Sequence, residues 1–149
     1  MTGKNGVLLT FAIILTAIYC YFFTDWFRVK TIQIIPANRM VGCLIPGSEA
    51  APITFTLNTE YRLTSIKVIA LKDLETNKIA LPKWHLISSS NSVPTRGFLY
   101  GMDVGGMTFS KLKYGVDDLN VGDPYRLVIE AGKMKGHVDF LPVPATRRR

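Results

Sequence analysis

From Gly6 to Phe23 the chain reads GVLLTFAIILTAIYCYFF, apolar throughout and without a single charge, and beyond Asp25 the pattern changes for good. A helix over that run rises about 1.5 Å per residue and so reaches roughly 27 Å, close to the ~30 Å hydrocarbon thickness of a bilayer. Further along, apolar residues recur at every second position in short bursts, which is the period of strands. No stretch after the apolar run keeps a helical period.

Ile53-Thr54-Phe55-Thr56-Leu57 alternates strictly and places Ile53, Phe55 and Leu57 on one face of a strand. Leu63 to Leu71 sets Ile66, Val68 and Ala70 on one side and is apolar enough to be a central strand, with Lys67 turned to solvent. Val29 to Ile35 is expected to be a first strand stopped by Pro36, with Pro36 to Arg39 as a turn. Trp84 to Ile87, Phe98 to Tyr100, Tyr125 to Ala131 and His137 to Leu141 complete the strand inventory.

Turn chemistry separates these bursts. Cys43 to Pro52, Ser88 to Ser92 with Pro94, and Ser110 to Asn120 are expected to be loops, and Gly132 to Gly136 a turn. Asp73 to Lys78 is too short for a helix and is expected to be a hairpin connection into Ile79-Ala80-Leu81. Pro142 and Pro144 should end all pairing. About seven short strands with turn signals between them predict an all-β fold, an antiparallel β-sandwich preceded by one transmembrane helix. The expected division is a short tail at 1–5, an anchor at 6–27, a sandwich domain at 28–144 and a basic flexible tail at 145–149 that ends in Arg147-Arg148-Arg149.

Two alternatives to an uncleaved anchor fail on side-chain size. A cleaved signal needs small residues before its cut, and Tyr19-Cys20-Tyr21-Phe22-Phe23 is bulky and aromatic. A lipoprotein-type cysteine needs a small residue before it, and Tyr19 precedes Cys20. Tyr19, Tyr21, Trp26 and Phe27 are expected at the headgroup level, where amphipathic rings partition. Lys4 and the α-amine flank the run on one side, with Arg28 and Lys30 against Asp25 on the other, so flanking charge alone does not favour export. The short N-terminal tail is the layout of a signal anchor, which predicts a single-pass protein of a bacterial inner membrane with its C-terminal domain on the periplasmic or outer side.

Composition adds bounds. The 149 residues include 19% charged and 48% hydrophobic, which argues for a folded domain over disorder. A net charge of +7 is compatible with anionic surfaces or acidic partners, and equally with simple solubility. Cys20 lies in the apolar run and Cys43 well beyond it, so no disulfide framework is expected. No Asn-x-Ser/Thr acceptor occurs, in keeping with a bacterial origin.

Leu119-Asn120-Val121-Gly122-Asp123-Pro124-Tyr125-Arg126-Leu127-Val128-Ile129 resembles the approach to the sixth strand of fibronectin type III and related immunoglobulin-like domains. There a leucine, a turn and a tyrosine precede an alternating strand, and the tyrosine hydroxyl bonds back to the chain upstream. Val121 stands where a proline is usual and Asp123 where a threonine is usual. The resemblance implies a sandwich fold with Tyr125, Leu119 and Trp84 in structural roles. It implies no activity, since such sandwiches host unrelated functions.

Chemistry is sparse. His85 and His137 lie on separate strands without a metal-ligand spacing, and Asp117, Asp118, Asn120 and Asp123 lack the order of a calcium loop, so neither metal nor cofactor is expected. Gly101, Gly105 and Gly106 lack the Lys-Ser/Thr of a phosphate loop, and the serines 88–92 lack a nucleophile elbow. No catalytic residue is expected. Trp84, His85, Arg96, Tyr100 and Tyr114 are the candidate binding surface, an aromatic strip with basic edges. The expected partners are the lipid bilayer and another membrane or envelope protein, with no specific nucleic acid. The predicted function is that of a non-catalytic binding or adaptor subunit. A cell-wall glycan module using Trp84 or Tyr100 is the first alternative, and a small hydrolase the second.

Overall fold

Strands dominate the computed structural model, which describes residues 3–23, 30–38, 47–77, 79–89 and 92–145. Contacts divide the chain into two units, 1–30 and 31–149. The first holds one helix, α1 (Gly3–Phe23), with no buried residue and a mean hydropathy of 2.2 over its most apolar window. It is long and apolar enough to cross a membrane. Its two threonine hydroxyls are satisfied within the helix, Thr10 Oγ1 donating to the Gly6 carbonyl at 2.9 Å and Thr16 Oγ1 to that of Ala12 at 2.8 Å. An apolar surrounding demands that arrangement, because it offers polar groups no other partner. Trp26 and Phe27, expected at a membrane interface, lie outside the described residues, as do Cys43 and the arginines 147–149.

The second unit contains β1 (Ile34–Asn38), β2 (Ile53–Tyr61), β3 (Ser65–Ala70), a short helix α2 (Leu71–Thr76), β4 (Trp84–Ile87), β5 (Thr95–Leu99), β6 (Thr108–Phe109), β7 (Tyr125–Ala131) and β8 (Met134–Phe140). They form two antiparallel sheets, in the orders β1-β2-β5 and β6-β4-β3-β7-β8. β3 is central, as its apolar character requires. The inward faces of both sheets share one core, in which the Phe55 ring meets Phe98 at 5.6 Å and Phe140 at 5.1 Å. The strict alternation of β2 survives in its burial, with Ile53, Phe55 and Leu57 inside.

Four expectations are corrected. Pro36 does not stop the first strand but sits within β1, opposite Phe55, so that Pro36 and Ala37 are strand rather than turn. The Asn58 N–H donates to the Gln33 carbonyl, and by the antiparallel alternation Pro36 then faces Phe55 at a non-bonded position, with its nitrogen turned away from β2. On the outermost strand the missing donor costs nothing. Leu71 to Thr76 is a helical turn rather than a hairpin connection, tied at its start by the Leu71 N–H to the Pro124 carbonyl and by a Lys72–Asp123 ion pair of 2.5 Å. Ile79 and Leu81 beyond it are exposed and in no strand.

The third correction concerns the last hairpin. Only Gly132 and Lys133 turn between Ala131 and Met134, and Gly136 lies inside β8 opposite Ile129. Gly132 has φ +62, the left-handed conformation that a two-residue hairpin needs at its first central position. The fourth concerns the C-terminus. β8 ends at Phe140, yet backbone bonds continue past Pro142, with the Ala51 N–H donating to Val143 and the Ala145 N–H to Glu49.

Candidate functional site

The five residues of the expected binding strip do not share a surface. Trp84 is fully buried, Tyr100 and His85 are buried at 6% and 7% exposure, while Arg96 and Tyr114 are exposed. Burial follows from strand position: Trp84 and Tyr100 point into the core, where their rings meet edge to face at 5.3 Å. Stacking on a sugar requires an open ring face. Neither ring offers one, so the aromatic strip is corrected to a piece of core. Tyr114, 89% exposed, packs its ring against that of Phe109 at 5.3 Å.

The polar members of this region are held by structural bonds. Tyr100 Oη donates to the Asp117 carbonyl at 2.7 Å, and burial pushes its phenol well above the ordinary tyrosine range. His85 Nε2 lies 3.5 Å from Ser65 Oγ on the neighbouring strand. Burial, with Lys67 nearby, lowers the His85 pKa, and Glu130 opposes that shift. Ser65 and His85 place a hydroxyl beside an imidazole, a pairing that no local pattern announces because it joins residues twenty apart. A working dyad needs a group to orient the imidazole through Nδ1. His85 Nδ1 is buried and without a hydrogen-bond partner among the described residues.

The acidic loop is likewise engaged. Asp117 pairs with Lys113 at 2.5 Å, and Asp123 with Lys72, which together with Asn120 holds the Asp123 carboxyl below the usual range. Among the described residues no three His, Cys, Asp or Glu side chains come together as metal ligands.

Sheet edges give a different candidate. β1 is blunted by Pro36, and β6 has two residues. The first half of β8 is covered by Thr31 and Ile32, the Ile32 N–H donating to the Lys135 carbonyl at 3.0 Å. β5 is the remaining outer strand. The Tyr100 N–H donates to Ile53, so alternation turns the Gly97 N–H and carbonyl outward, away from β2. Beside this edge lies an open groove of about 460 Å³, lined by Val93, Arg96, Gly97, Met102, Asp103 and Gly105 among others. Val93 and Met102 are 56% and 50% exposed, and Arg96 forms no ion pair among the described residues. Of these residues the sequence had pointed only to Arg96. Val93-Pro94 reads as loop, and nothing local marks a strand as lying at an edge.

Leu119 and Tyr125 are both buried, and Tyr125 Oη accepts the Asn120 N–H at 3.0 Å across the turn that leads into β7. Tyr125→Phe should therefore cost about 1 kcal/mol, the worth of one hydrogen bond to a turn amide that water can reach in part. Denaturant titration monitored by circular dichroism measures it, and an unchanged midpoint would remove the bond from the list of stabilising contacts. No family model, curated protein or solved structure matches this chain.

Proposed function

We propose that the chain is a single-pass, membrane-anchored binding or adaptor subunit without catalytic activity, acting at the membrane surface through an immunoglobulin-like sandwich. The anchor is α1, and the proposed setting is a bacterial inner membrane with the domain on the periplasmic or outer side. Two features support the immunoglobulin-like, fibronectin type III-related reading. The strand order β1-β2-β5 against β6-β4-β3-β7-β8 follows the pattern of such domains, with β6 as an addition. The Tyr125–Asn120 bond has the form of a tyrosine corner.

One observation carries the binding role: β5 is an outer strand with outward backbone groups at Gly97, beside a groove with apolar and charged side chains. An extended partner segment would add to β5 through main-chain bonds and take its specificity from Val93, Arg96 and Met102. The enclosed rings of Trp84 and Tyr100 remove the support for a glycan platform.

Site-specific photocrosslinking in native membranes tests this reading. A photoreactive residue at Met102 or Arg96 should give one discrete adduct with a protein, and the same residue at Ile79, which is 91% exposed, should give none. Equal yields at Met102 and Ile79, or no adduct at Met102 and Arg96, would overturn it.

A further inference from the structure

The groove beside β5 has a different set of side chains at each end of the strand. Val93 and Arg96 lie at its start, while Met102 and Asp103 follow its close, where the Met102 N–H donates to the Leu99 carbonyl at 3.2 Å. All four side chains are exposed. Arg96 and Asp103 form no ion pair with each other or with any other described residue. An unpaired cation and an unpaired carboxylate therefore flank Gly97, one toward each end of β5, and an exposed apolar residue accompanies each.

Gly97 turns its N–H and carbonyl outward, away from β2. Two antiparallel strands related by a two-fold axis at one residue exchange a pair of main-chain bonds there, each N–H donating to the opposite carbonyl. Gly97 brings no side chain to that close approach. The same axis reverses strand direction, so the start of one strand meets the close of the other. Arg96 of each copy then faces the carboxylate end of its neighbour at Asp103, and Val93 faces Met102, each contact made twice as an isologous interface requires.

We infer that the segment added to β5 is the β5 of a second copy of this chain, paired antiparallel about Gly97 so that the two three-stranded sheets run on as one. This rests on the reading of β5 as a strand-addition edge, and it names the occupant of that edge. A partner segment of one sign would satisfy Arg96 or Asp103 and leave the other facing a like charge or nothing. A second copy satisfies both. The other outer strands do not compete for this pairing, because β1 carries Pro36, β6 has two residues and the first half of β8 is covered by Thr31 and Ile32.

The test uses the full chain in native membranes, co-expressed with two different epitope tags and with a photoreactive residue at Met102. The expected adduct carries both tags, has twice the mass of one chain, and joins Met102 of one copy to the Val93–Arg96 segment of the other. Arg96→Asp alone should lower its yield at least about fivefold, since each copy then sets carboxylate against carboxylate, and Asp103→Arg alone should do the same with two cations. Pairing the two variants, one on each tag, should restore the two-tag adduct, which a substitution that merely unfolds the domain would not allow. A two-tag adduct that is indifferent to the reversals, or is not restored in the mixed pair, would overturn the inference. So would a discrete adduct with a different protein and none with both tags, which leaves β5 standing as a strand-addition edge. No adduct of any kind at Met102 would overturn both.

Discussion

Trp84→Ala is expected to lower the stability of the β domain by about 3–5 kcal/mol, the range for removing a large aromatic from a core that cannot collapse around the gap. Trp84 is fully buried on β4 and packs against Tyr100 and, at 6.0 Å, Phe98, which reach it from other parts of the fold. Its loss would open a space between the two sheets. Trp84→Phe should cost much less, about 1–2 kcal/mol, because two effects oppose each other. The smaller ring leaves part of the gap, yet it also removes the indole N–H, which is buried without a hydrogen-bond partner among the described residues. An unsatisfied buried donor carries a penalty of about 1–3 kcal/mol, which the substitution relieves. Denaturant melts of the full chain in detergent, followed by circular dichroism, measure both variants. A Trp84→Ala protein with an unshifted midpoint would show that the ring is not a core element, and would reopen the aromatic strip as a surface.

What the sequence disclosed, and what it withheld, follows from the range of each interaction. Tyr125 to Ala131 is legible to the residue because its alternation is written in neighbouring positions, and Trp84 to Ile87 is legible as a short run between turn signals, buried at three successive positions. The central place of β3 is legible in its nearly continuous apolar run, and the structure flanks it with β4 and β7. Pro36 misled because a proline ends an inner strand but not an outer one, and rank in a sheet is decided by residues far along the chain. Leu71 to Thr76 misled because a single helical turn has little local signal. Its start is tied to Pro124 and its Lys72 to Asp123, both about fifty residues away. The candidate site failed on the same ground. An aromatic residue on a strand can face either way, and only the facing sheet decides which. Trp84 can therefore be read from the sequence both as sandwich core and as part of a surface strip, and its burial selects the core, while Gly97 within the outer strand and Val93 and Met102 beside it carry no local mark.

Gly136→Val should destabilise the β domain by about 3 kcal/mol, for a reason no strand propensity foresees. Valine is the better strand former, and Gly136 lies inside β8 in an extended backbone, so local preference alone predicts a gain. Packing reverses the sign. A Cβ on Gly136 would lie 2.8 Å from Ile32 Cβ and nearer still to the Ile32 carbonyl oxygen, a backbone atom that cannot swing aside. Ile32 is held there by its N–H bond to Lys135 and is 1% exposed, so the strap from Thr31 to Ile32 must lift off β8 to make room. That lift loses a hydrogen bond and the burial of an isoleucine, the latter worth about 1.5–3 kcal/mol. Gly136→Ala should show most of the same loss, because the first added carbon already makes the contact. The diagnostic is coupling: Ile32→Ala alone should destabilise by about 2–4 kcal/mol, yet add little to Gly136→Val, since the strap is already displaced. Hydrogen exchange at the Ile32 amide reports the same event directly, and full additivity with a protected amide would mean that the strap does not depend on the glycine beneath it.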